Sequence, residues 1–181
     1  CDFFGGQDDL ALKLLRVLHA RSFIDDPVRA IRAARLMSRL GFTLEPETAE
    51  LLHSALQENL LSTVSGARLL DELRKALCEQ DAFGCVCQLQ ESGLLEQIEP
   101  LFLFRREQTE EARGLIGAAC KVCPSSTEAQ FEKWHLVLAY LLRCASDEAC
   151  RLVLDRFAAP RKVQRAFEQA RQCLRSLSGA F

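Results

Sequence analysis

The sequence predicts an all-α fold, and three observations carry that expectation. Apolar residues recur at helical spacing over most of the 181 residues. Almost nothing alternates with period two, and β-branched residues are few. Helix-starting and helix-ending residues stand where the periodic runs begin and stop. A helical chain of this length can bury a substantial core, in one domain or in two.

Taken in order, the elements follow from local chemistry. Gly5 and Gly6 make a turn, since glycine reaches backbone angles closed to other residues. Leu10 to Leu18 reads as a short strand. The best-marked helix covers 26–40: Asp26 is a good N-cap, Pro27 suits the first helical position, and Gly41 ends the run. Helices are then predicted at 46–58, opened by Glu45-Pro46, and at 65–79, 81–92 and 106–120. Three more are predicted at 126–144, opened by a Ser125–Glu128 capping box, at 147–157 and at 160–177. Pro124 separates the helical runs on either side of it, which places a soft boundary near residues 115–125 and divides the chain into 1–24, 25–115 and 116–181.

The 26–40 helix carries the most specific chemistry. At about 100° per residue, Arg29, Arg32, Arg35 and Arg39 share one arc, and Ala30, Ala33, Ala34, Met37 and Leu40 share another. The small apolar face permits close approach of a neighbouring element. The arginine face meets either an anionic ligand or water. Asp26 and Arg29, three residues apart, lie side by side with opposite inventories: a carboxylate only accepts hydrogen bonds, a guanidinium only donates them. Arg68 and Glu72, at i and i+4, suit an ion pair within their helix or to another helix.

Composition narrows the function. With 49% hydrophobic and 27% charged residues the chain is an ordinary folded one. No apolar run approaches the roughly 20 residues of a membrane span, and no signal peptide is evident, so a cytoplasmic protein with no membrane contact is expected. Nine cysteines, odd in number and irregularly spaced, suit reduced and mostly buried thiols better than a disulfide framework. Cys120 and Cys123 form the only C-x-x-C, and His19, His53 and His135 stand on separate elements, so no metal ligand set and no catalytic residue is expected here. The net charge of −2 argues against a surface basic throughout, yet two zones, Lys13–Arg39 and Arg151–Arg175, are each strongly basic. Together they suit an extended polyanion, or they are simply solvated helix faces.

Four ordered blocks carry a family resemblance: D-F-F-G-G-Q-D-D-L (Asp2 to Leu10), L-L-R-V-L-H-A-R-S-F-I-D-D-P-V-R (Leu14 to Arg29), R-L-G-F (Arg39 to Phe42) and S-G-A-R-L-L-D-E-L (Ser65 to Leu73). In this order they resemble the bacterial tRNA nucleotidyltransferase and poly(A) polymerase family over about the first hundred residues. The first block resembles the flexible segment after that family's catalytic head, the second its nucleotide-selecting motif E-D-x-x-R-x-x-R-x-x-R, and the last the R-x-x-x-E of its neck. The acidic pair is Asp25-Asp26 here, in place of Glu-Asp. The family's metal-binding Asp-x-Asp does not occur, and with no initiator Met before Cys1 the chain is expected to be a piece of a longer polypeptide.

The resemblance implies a helical neck, body and tail, with 10–18 as a remnant of the head's last strand. Residues 1–24 would be the head–neck junction, 25–115 the neck and body, and 116–181 an RNA-binding tail. It also implies roles. Asp26 and Arg29 would read the edge of C or A, and Arg32 and Arg35 would meet the triphosphate of CTP or ATP. Asp2, Gly5, Gly6, Arg68 and Glu72 would serve as hinge and neck support, and the partners would be the tRNA 3′ end and nucleoside triphosphates; from its charge, the basic tail is expected to bind RNA weakly through phosphate contacts of Arg161, Lys162 and Arg165. Mg²⁺ would sit in the head, leaving this piece inactive alone. The alternatives are a poly(A) polymerase and a non-catalytic RNA-binding helical module.

Overall fold

A computed structural model describes residues 2–122 and 131–178. Eleven α-helices and one two-stranded sheet are described. In chain order they are α1 (Gly6–Leu12), β1 (Leu14–Leu15), α2 (Ser22–Asp25), α3 (Arg29–Leu40), β2 (Thr43–Leu44), α4 (Pro46–Gln57), α5 (Gly66–Leu77), α6 (Ala82–Glu91), α7 (Leu94–Ile98), α8 (Thr109–Val122), α9 (Lys133–Leu141), α10 (Asp147–Arg156) and α11 (Arg161–Ser178). The all-α expectation holds, the sheet being two residues per strand.

The N-terminal segment differs from its sequence reading. Most of 10–18 is not strand: Leu10 to Leu12 close α1, and only Leu14 and Leu15 are extended. Their partner lies in this chain, since β1 pairs in parallel with Thr43 and Leu44. Asp2 explains α1. Its carboxylate accepts from the N–H groups of Gly6 (3.0 Å) and Gln7 (2.8 Å), donors that a helix start leaves unpaired.

The start of α3 also shifts. Asp26 is not its N-cap; the helix begins at Arg29 after a Pro27–Val28 turn, and no side chain caps it. The Asp26 carboxylate is drawn away to Arg68, 2.9 Å distant on α5. The stop is as expected, with Gly41 at φ 65°. Three later starts follow side-chain caps, where Glu45, Asp81 and Ser146 accept from the N–H groups of Thr48, Gly84 and Ala149. The predicted Ser125–Glu128 capping box, Pro124 and Cys123 lie outside the described residues.

One buried cluster runs from Phe23 to Leu174. At its centre is α9, whose residues Trp134 to Leu141 are all buried, with α5, α8 and α11 packed around it. Helix α8 spans the expected 115/116 boundary and buries Ala112, Ile116 and Ala119 in the same cluster. Residues 101–105 supply a period-two segment that helix periodicity misses. Phe102 and Phe104 face inward, while Leu101 and Leu103 face out. Phe104 stacks on Phe83 at 5.7 Å, and the Leu103 N–H donates to the Leu141 carbonyl.

The second basic zone divides in two. Arg171, 4% exposed, is a structural cation: its guanidinium donates to the Leu142 and Ala145 carbonyls at the end of α9 and to Asp147 at the start of α10. Arg175 joins it on Asp147 at 2.7 Å, and Arg156 donates to Glu99 and to the Ile98 carbonyl. Arg151, Arg161, Lys162 and Arg165 are exposed, with no ion pair among the described residues. Arg171→Met should therefore cost about 2–4 kcal/mol in chemical denaturation, because buried carbonyls lose their donors. Arg161→Met should stay within about 0.5 kcal/mol of wild type in the same assay.

Candidate functional site

The first basic zone folds into a clasp between α3 and α5. Pairs run in the same order along both segments, Asp26 standing just before α3 and Glu79 just after α5: Asp26 with Arg68 (2.9 Å), Arg32 with Glu72 (2.8 Å) and Arg35 with Glu79 (2.9 Å). That order means the two helices lie side by side in parallel. Beneath the charges the apolar faces of both helices are buried, Ala30, Ile31 and Ala34 on α3 and Leu69, Leu73 and Ala76 on α5. The alanines let the backbones approach closely enough for short bridges, so the small-residue face and the arginine face act together.

Glu72 is the centre of the clasp. It is 3% exposed, and its Oε1 accepts from both Arg32 (2.8 Å) and Lys75 (2.9 Å). Burial works to raise its pKa, but the two cations outweigh burial and hold the carboxyl below the ordinary value. Oε2 is buried with no hydrogen-bond partner among the described residues, and so is Arg35 Nε. The bridge to Glu72 raises the Arg32 pKa in turn, keeping the cation firmly charged.

The expected nucleotide residues are not equivalent. Asp26 and Arg29 lie beside one another at 3.7 Å, a separation beyond a hydrogen bond, so donors on Arg29 are left for a ligand. Arg32 is bonded to Glu72, yet its side chain remains 45% exposed and presents further N–H groups outward. Arg35 is only 21% exposed and committed to Glu79, which also draws Arg39 to 3.9 Å. The outward face thus offers one carboxylate flanked by Arg68 and Arg29, with Arg32 one turn further along.

The support residues fall as two groups. Arg68 and Glu72 do not pair with each other; each reaches across to α3. Asp2, Gly5 and Gly6 stand at the start of α1, where Gly5 takes φ 67° and Gly6 opens the helix. Asp9, one of the adjacent acidic pair, holds Arg16 at 3.0 Å, and Glu45 holds it from the other side at 3.4 Å. Arg161, Lys162 and Arg165 lie on α11, outside the clasp. Sequence reasoning missed Lys75 and Glu79. Their spacing, at i+7 and i+11 of Arg68, was a readable signal that Lys75 shares its face of α5 and that Glu79 follows in line just past the helix end.

Of the seven cysteines described, Cys85, Cys87, Cys150 and Cys173 are buried and Cys78, Cys120 and Cys144 exposed. No group of three His, Cys, Asp or Glu residues able to hold a metal occurs among the described residues. The Mg²⁺ that the family resemblance implies was expected in the head and not on these residues.

Glu72→Gln should destabilise the chain near neutral pH, since it leaves Arg32 and Lys75 sharing an uncharged partner. A carboxylate held below its ordinary pKa contributes stability above that value and loses it as pH falls through the lowered one. The stability difference between wild type and Glu72→Gln should be constant at neutral pH and shrink in acid, below the ordinary value of 4.5. Denaturation midpoints over a pH series check this.

Comparison with known proteins agrees with this architecture. Residues 41–103 match a family described as the probable RNA- and SrmB-binding site of polymerase A. The A-adding tRNA nucleotidyltransferase of Aquifex aeolicus is 32% identical over 168 residues, 92% of this chain and 20% of that one. A CCA-adding enzyme solved with ATP is 30% identical with TM-score 0.75, covering 91% of this chain and 39% of that one. The CCA-adding enzyme of Thermotoga maritima, solved with tRNA, is 29% identical with TM-score 0.74, covering 92% and 40%. The chain thus spans less than half the length of each of these relatives. In sequence and in fold, it belongs to the tRNA nucleotidyltransferase and poly(A) polymerase family, as part of the helical body and tail.

Proposed function

We propose that the chain is the nucleotide-selecting and RNA-binding part of a template-independent tRNA 3′-end nucleotidyltransferase that adds C, A or both. The observation that carries this is the Asp26–Arg29 pair, a part-buried carboxylate beside a half-exposed guanidinium, held on one face by Arg68 and by the Arg32–Glu72 bridge. Cytosine and adenine each present an amino donor beside a ring acceptor on the pairing edge, which guanine and uracil do not. A carboxylate next to a guanidinium complements that edge, so the side chains stand in for a templating base. Arg32, half-exposed and firmly cationic, meets the triphosphate. Arg35 braces α3 against Glu79 and contributes to the triphosphate only through its field.

The division into a head–neck junction (1–24), a neck and body (25–115) and a tail (116–181) belongs to this reading, with α8 as the element shared by the last two. Gly5, at positive φ, with Gly6 beside it, serves as the hinge, and Arg161, Lys162 and Arg165 on α11 serve as tail contacts to tRNA. The tRNA-acting names of the relatives, including solved chains holding ATP and tRNA, support the tRNA branch over a poly(A) polymerase. No described helix is long and apolar enough to cross a membrane, and a cytoplasmic enzyme is the simplest setting. Phosphoryl transfer and its Mg²⁺ are assigned to a head outside this chain, so the chain alone transfers no nucleotide. Incubation with tRNA lacking its CCA end, labelled CTP or ATP and Mg²⁺ checks this, and metal-dependent extension that survives purification would contradict it.

In an enzyme that includes the head, Asp26→Ala removes the acceptor for the base amino group but leaves the triphosphate contacts. Discrimination against UTP and GTP should fall about tenfold to a hundredfold, the worth of a base contact of roughly 1–3 kcal/mol. Arg32→Ala should weaken all four nucleotides alike. Incorporation efficiency for each triphosphate, on variants with wild-type circular dichroism, checks both.

A further inference from the structure

His135, 5% exposed, is buried in the first turn of α9, the helix at the centre of the core. Its Nδ1 accepts from the Glu132 N–H at 2.9 Å, one of the donors that a helix start leaves unpaired. A ring nitrogen that accepts carries no proton, so the neutral imidazole bears its single proton on Nε2. The Trp134 ring lies against it, with 3.8 Å between centroids. Trp134 is buried too, and it is the chain's one tryptophan.

Protonation undoes this arrangement. An imidazolium has two donors and no acceptor, so the Glu132 N–H would lose its partner and meet another N–H in its place. A cation there would also stand at the positive end of the α9 dipole. Around the ring the described charges cancel: Arg74 from α5 and Lys162 from α11 line the same hollow of about 520 Å³ with Glu132, and Asp71 lines the hollow that adjoins it. The thiol of Cys78, just past the end of α5, lies in the field of Glu132. Among the described residues, no charged group of α8 lines the hollow. Glu132 and the Trp134 face favour a cation; the lost acceptor, the helix end and burial oppose it. Burial prevails over the pull of Glu132 and holds the ring below its ordinary pKa.

We propose that His135 is an acid-sensitive latch on the first turn of α9. Neutral, it ties the Glu132 main chain to the helix and keeps Trp134 packed between α5 and α11; protonated, it releases that turn and uncovers Trp134. The sign follows from the direction of the shift. A group held below its ordinary pKa gives its full stability above that value, 6.5, and loses it as pH falls through the lowered one, so the latch is closed at neutral pH and opens in mild acid.

Trp134 emission reports the latch without a label. Wild type, His135→Asn and His53→Asn are titrated from about pH 8 to about pH 4.5, the range in which imidazoles change charge, with folding checked by circular dichroism. Asparagine keeps an acceptor near the Nδ1 position and does not titrate; His53, exposed on α4, is the control. Wild type and His53→Asn should show one reversible shift of emission to longer wavelength below 6.5, and His135→Asn should show none. A flat wild-type titration overturns the latch, and so does a shift that His135→Asn retains. Wild type alone supplies a second reading by NMR, in which the Glu132 amide should lose its protection from hydrogen exchange in step with titration of the His135 ring. A ring that titrates at or above its ordinary value, or an amide still protected once the ring is protonated, overturns the latch equally.

Discussion

The Glu72 carboxylate is the constraint around which the first half of the chain is arranged. A buried carboxylate is tolerated only if cations and hydrogen bonds compensate its lost hydration. Arg32 supplies that compensation from α3 and Lys75 from the same helix as Glu72, and the Arg32 bond fixes α3 against α5 in register. Once that register is set, Arg68 reaches Asp26 and Glu79 reaches Arg35 without further adjustment. The Asp26–Arg29 pair, which straddles the turn between α2 and α3, is therefore held by contacts behind it.

Charge runs in this sequence carry two different meanings that only the fold separates. In the first zone nearly every arginine has a carboxylate partner, and the arginines differ in how much of each guanidinium is left to solvent. Arg29 and Arg32 are about half exposed, while Arg35 is not. In the second zone the division is sharper. Arg171 is sunk among the carbonyls of the turn that follows α9, at Leu142 and Ala145, while Arg161, Lys162 and Arg165 face solvent. Net charge and zone counting cannot make these distinctions, because they ignore which face of each helix is turned inward.

Much of the architecture was legible because helical periodicity reports burial directly. Eight helices were expected, and the elements observed near those positions include α3, α4, α5 and α10 with starts within about three residues. What escaped has physical causes. The Asp26 cap failed because a long-range partner, Arg68, competes for the same oxygens. The 10–18 strand failed because Asp2 supplies a cap that lets Gly6–Leu12 become helical. The inward-facing Phe102 and Phe104 were missed because a five-residue extended segment is too short to stand out among helices. For the site, the motif spacing located Asp26, Arg29, Arg32, Arg68 and Glu72 on two helices, but not which residues pair across them. Lys75 and Glu79 needed the α5 face to be followed one turn further.

The central claim is that Arg32 and Glu72 are energetically coupled across the two helices, and a double-mutant cycle on folding stability tests it most directly. Arg32→Met, Glu72→Met and the double variant are compared with wild type by chemical denaturation at neutral pH. The clasp predicts a coupling of roughly 1–2 kcal/mol, within the span seen for residues in direct contact in a charged network. Additivity to within about 0.3 kcal/mol would mean the bridge is incidental, and the ordering of the site would need another cause.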